Sequence, residues 1–84
     1  MPVSNTSLVE RIARVLAGRD VSINAEGHDA SAGTRVDETW YQYRDDAISV
    51  LKTLREPDAA MAAAGDAEMW ERMVLAALDA EAAS

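Results

Sequence analysis

The chain has 84 residues, no Cys, and a net charge of −7, with 49% apolar residues of which 17 are Ala and none is Phe. That size allows one small domain with a modest core, and it excludes a disulfide framework or a thiolate metal site. Acids dominate the last third: residues 56–84 hold seven acids against Arg72 alone, which argues against direct DNA or RNA binding, since phosphates call for Lys and Arg.

Ser7-Leu8-Val9-Glu10 has the form of a capping box, in which a hydroxyl and a carboxylate satisfy free amides at a helix start. Apolar positions then recur at Leu8, Ile12, Val15 and Leu16, and Gly18 offers a stop. The first helix is therefore expected over about residues 7–17. From Arg19 to Val36 no helical period persists, and Asn24, Gly27, Asp29, Ser31 and Gly33 read as turns. A long irregular loop at 19–36 is the expectation, with a short extended piece at Val21, Ile23 and Ala25.

Asp37 and Glu38 suit the start of a second helix, about 38–55, whose stripe is Trp40, Tyr43, Ala47, Val50, Leu51 and Leu54. Pro57 lacks an N–H and fits the first turn of a new, short helix at about 57–64. Gly65 has the freedom to take a left-handed conformation there and end it. Asp66 caps a last helix at about 66–80 with a stripe of Met69, Trp70, Met73, Val74, Ala77 and Leu78, and a fraying tail is expected from Asp79. The fold class is all-α: a small bundle of three main helices plus one short helix, in a single domain. Its core is expected at Leu8, Ile12, Leu16, Trp40, Leu51, Leu54, Met61, Trp70, Met73 and Leu78. With so much Ala a homodimer would be an easy way to add core.

Candidate chemistry is sparse. His28 is the only His and sits in a Gly- and Asp-rich stretch, as a solvated residue would. Asp20, Ser22, Asn24 and Glu26 alternate like the start of a calcium loop, but Ala25 and Ser31 stand where that loop needs Gly and Glu. Asp45 and Asp46 are adjacent on a helix and point apart, so they share neither a proton nor a metal. No P-loop spacing connects the glycines. No catalytic residue, metal site or cofactor is expected. Trp40 and Trp70 read first as core, and secondly as anchors for a partner, because Trp is enriched at interface hot spots. Met61, Met69 and Met73 make a soft stripe that reads more readily as core than as an adaptable binding surface.

Leu8-Val9-Glu10-Arg11-Ile12-Ala13, Trp40 with Tyr43 and Ala47, Arg55-Glu56-Pro57-x-x-Ala60-Met61, Gly65, and Trp70-x-x-Met73 with Ala76 and Ala77 follow one another in the chain. In that order they resemble a set of small helical proteins encoded by phages and prophages of alphaproteobacteria. The resemblance spans most of the chain outside Arg19–Val36. It implies an accessory gene of mobile DNA, and it brings no catalytic motif.

The functional expectation is a non-enzymatic phage or prophage accessory protein that binds another protein through a helix face or its acidic last third. The residues expected to touch a partner are Glu56, Asp58, Glu68, Glu71 and Trp70. One alternative is an acidic inhibitor of a host nucleic-acid-binding defence protein, anti-CRISPR-like, with Glu56, Asp58, Asp66, Glu68 and Glu71 occupying a basic groove. Another is a minor virion-structural or assembly protein. No run is apolar and long enough to span a membrane, and no signal peptide opens the chain, so the host cytoplasm or the virion is the expected location.

Overall fold

The computed structural model describes residues 3–24 and 32–82. Among them the elements are helical and no strand occurs: α1 (Leu8–Asn24), α2 (Ala32–Thr39), a 3₁₀ helix (Trp40–Tyr43), α3 (Arg44–Leu54), α4 (Ala59–Ala64) and α5 (Ala67–Ala82). The all-α class holds, while the helices are more numerous and differently bounded than the sequence suggests. The chain divides into two compact units, residues 1–47 and 48–84.

In the first unit, α1 packs on α2 and on the 3₁₀ helix, which also touch each other. Ser7 caps α1 as expected: its Oγ accepts from the Glu10 amide at 3.1 Å. Val9, Ala13 and Ala17, spaced four apart, are buried, and so is Ala47. Leu8, Ile12 and Leu16 flank this row half-buried, whereas Val15 is 70% exposed. The buried face is thus turned by roughly a third of a turn from the stripe of large residues. Small side chains take the centre, where helices come closest, and the larger ones close the sides.

Gly18 does not end α1; it lies inside, and the helix runs on to Asn24. A mid-helix Gly costs only about 0.5–1 kcal/mol relative to Ala, a penalty that tertiary contacts readily offset. One such contact is visible: the Tyr43 hydroxyl donates to Asp20 Oδ2 at 2.6 Å, holding the added turn to the 3₁₀ helix. The expected loop at 19–36 is likewise corrected. Its two ends are helical, including the backbone of Val21 and Ile23, which had suggested an extended piece. Residues 25–31, with His28 and with Ala25, Glu26 and Ser31 of the calcium-like pattern, lie outside the described residues, while Asp20, Ser22 and Asn24 belong to α1. Asp37 is inside α2 rather than capping a helix, because Arg14 engages its carboxylate.

In the second unit α3 stops at Leu54, and a turn through Pro57 leads to α4. Pro57 precedes the N-cap instead of occupying the first helical turn. The cap is Asp58, with extended backbone (φ −84°, ψ 178°), whose Oδ1 accepts from the Met61 amide at 2.9 Å. The break itself is where the sequence put it, and α3 and α4 are separate helices. Gly65 closes α4 with its N–H on the Met61 carbonyl at 3.1 Å, but its backbone is extended (φ −160°), not left-handed. Asp66 caps α5 through a 3.1 Å bond from the Met69 amide, as expected. Helix α5 then continues to Ala82, past the start of the expected fraying. Here, among the described residues, only Leu51 and Val74 are buried.

Candidate functional site

Two clusters of side chains stand out, one in each unit. The first is centred on Arg14. Its Nε donates to Glu10 Oε2 at 2.9 Å, its Nη1 donates to Asp37, and its guanidinium lies 5.5 Å from the centroid of Trp40. The hydrogen bond that Arg14 donates to Asp37, and after it the one to Glu10, raise the Arg14 pKa above its ordinary value, so the charge is permanent. A cation over an aromatic face and between two carboxylates is a clamp joining α1, α2 and the 3₁₀ helix. Tyr43, bonded to Asp20, is the neighbouring clamp.

The second cluster is a cleft between α4 and α5. It is lined by Pro57, Met61, Gly65, Asp66, Ala67, Met69, Trp70 and Met73 and measures about 220 Å³. Its origin is local. Helix α4 is Ala-Ala-Met-Ala-Ala-Ala, so Met61 is its one long side chain and no residue of α4 is buried. On α5, Met69 and Met73 are one turn apart and share a face with Trp70. Little on α4 is large enough to cover them. Met61 is accordingly 39% exposed, Met69 45% and Met73 63%.

Trp70 is fixed rather than loose. Its indole N–H donates to the Leu54 carbonyl at 2.6 Å, satisfying one of the acceptors that the last turn of α3 leaves open. The ring therefore faces the cleft with its polar edge already engaged. Asp66 is the one ionisable group among the residues lining the cleft, and one of its oxygens serves the α5 cap. Arg72 stands beside Met69, with Nη2 3.5 Å from the thioether sulfur.

The five residues expected at a partner surface are not gathered in one place. Trp70 lines the cleft, and Asp58 caps α4 next to Pro57. Glu56 is exposed in the turn before α4. Glu68 and Glu71 line a separate, more open recess with Arg72 and Leu75. The expectation that Met61, Met73 and Leu54 belong to the core is corrected, since all three are exposed. Both Trp rings are half-buried. The methionine stripe, which reads from the sequence more readily as core, is exposed: its spacing gives a helix face, and only the Ala content of α4 hints that this face stays open.

Among the described residues no cluster of acids and His could hold a metal ion, and no buried side-chain N or O lacks a partner. No helix among them is long and apolar enough to cross a membrane. The chain matches no family model, no curated protein and no solved structure.

Proposed function

We propose that this is a non-enzymatic accessory protein of phage or prophage origin that works by binding another protein through the α4–α5 cleft. The observation that carries this reading is the exposure of Met61, Met69 and Met73 beside a half-buried Trp70. Flexible, polarizable thioethers adapt to the shape of an incoming side chain, and an oriented Trp gives them a rigid wall. The size of the cleft supports the same reading. Sites for drug-sized ligands hold about 300–1,000 Å³, and 220 Å³ is room for a side chain. The phage context draws on the order of motifs from Leu8-Val9-Glu10-Arg11 to Trp70-x-x-Met73.

The test is affinity capture from cells that carry the gene, comparing the wild-type protein with Met73→Glu. Met73 is exposed, so the variant leaves the fold intact and places a charge at the cleft. A partner retained by the wild-type protein and lost by the variant is the expected result. The same partners on both would show that binding lies elsewhere.

The acidic-inhibitor reading draws on Glu68 and Glu71, exposed beside a half-buried Leu75 on another side of α5. It predicts binding that weakens steeply with salt, is lost on E68K/E71K, and survives Met73→Glu.

A further inference from the structure

Resting on the cleft reading above, we propose that the occupant of the α4–α5 cleft is a basic segment of a partner protein that inserts one bulky apolar side chain. The charge around the cleft selects the sign. Asp66 lines it, Asp58 and Glu56 flank its Pro57, and from Glu56 through Glu71 the chain has five acids and no base. Arg55 and Arg72 bound that stretch and neither lines the cleft, although Arg72 Nη2 stands 3.5 Å from the Met69 sulfur. The one ionisable residue lining the cleft is therefore an acid, Asp66, whose Oδ1 also accepts from the Met69 amide. A segment seated with its apolar anchor among the methionines gains most when its Lys or Arg residues point to Asp58 and Asp66.

A second copy of this chain fits poorly. Each copy carries −7, and a two-fold interface through this cleft would set the Asp66 regions of both copies against each other. The volume limits the anchor to about one large side chain, so the rest of the contact must come from the rim.

The test uses three synthetic peptides and the methyl NMR signals of Met61, Met69 and Met73 in the full-length protein. One peptide places Leu and Lys at amphipathic helical spacing, the second replaces its Lys with Glu, and the third keeps the Lys but has Gly and Ser for Leu. The Leu/Lys peptide is expected to move all three methyl signals saturably. Asp58→Asn and Asp66→Asn retain the caps, because Asn caps as well as Asp, and each removes a charge. Each should weaken binding by up to about fivefold at low salt. Met73→Ala should weaken it at least about fivefold at any salt.

Equal shifts with the Leu/Glu peptide would overturn the basic class while leaving the cleft as a docking site. Equal shifts with the Lys/Gly/Ser peptide would reduce the effect to surface charge and overturn the anchored segment. Methyl signals that move with protein concentration alone would put a second copy in the cleft and overturn the proposal. If no peptide moves them, both the proposal and the cleft reading fall.

Discussion

The two units of this chain spend their residues differently. The first turns small side chains inward and ties its helices with side-chain pairs: Arg14 to Glu10 and Asp37, and Tyr43 to Asp20. The second relies on local devices, Asp58 and Asp66 at helix starts and the Trp70 indole at the end of α3, and leaves three methionines in the open. The lesson concerns where large apolar side chains go when a chain has few of them. In the first unit Ala13 and Ala17 let helices approach closely, so contact is made by backbone and small groups. In the second the largest flexible side chains lie outside the core, where they add little to folding and are available to something else.

The sharpest way to break that contrast is to cut into what the second unit does bury. Leu51 is fully buried, and Leu51→Ala should cost about 2–5 kcal/mol, read as the loss of midpoint in urea unfolding. A loss near zero would mean that the second unit has no core worth the name. The first unit should fail in the opposite direction, by overfilling. Ala13 has no exposed surface, and Ala13→Leu should cost about 1–3 kcal/mol because the added carbons force its neighbours apart.

Caps give a smaller and more diagnostic effect. Asp66→Ala should cost about 1 kcal/mol, while Asp66→Asn should change stability by only a few tenths, because the amide oxygen still accepts from the Met69 N–H. Equal losses for both would mean that charge, and not the cap, holds the start of α5. Gly18→Ala has the opposite sign. A Cβ there would meet the Val36 methyl at 3.7 Å, an ordinary contact, and Ala within a helix gains about 0.5–1 kcal/mol over Gly. Destabilisation would instead mean that Gly18 ends the helix, as its place in the sequence suggests.

How much of this was legible depends on the range of the forces. Ser7, Asp58 and Asp66 each act on an amide three residues away, and Ser7 and Asp66 were readable as caps. The break around Pro57 is equally local, since a missing N–H interrupts a helix wherever it stands. The first unit is different: what carries α1 past Gly18 includes the bond from Tyr43 to Asp20, two residues 23 apart in the chain. Asp37 looked like a cap because its local surroundings suit one, and Arg14, also 23 residues away, claims its carboxylate instead. Of the candidate site, Trp70 was named from the sequence. The methionine stripe was named too but read first as core, because periodicity shows which side chains share a face and not whether anything covers that face.

The Tyr43–Asp20 bond offers the gentlest test, through pH. The bond to Asp20, followed by loss of hydration and by the Asp20 and Asp46 charges, raises the Tyr43 pKa above its ordinary 10.0. The proton therefore binds more tightly in the folded protein than in the unfolded chain. The resulting stability is fully present below the unfolded pKa of about 10 and is lost as pH rises through the higher folded value. Thermal unfolding of the wild-type protein should thus show a fall in melting temperature on the alkaline side that Tyr43→Phe largely removes. Tyr43→Phe should also melt slightly lower than wild type at neutral pH, where the hydroxyl still donates. Parallel pH curves for the two proteins would mean that the bond contributes nothing in solution, and α1 would then owe its extra turns to packing on the 3₁₀ helix alone.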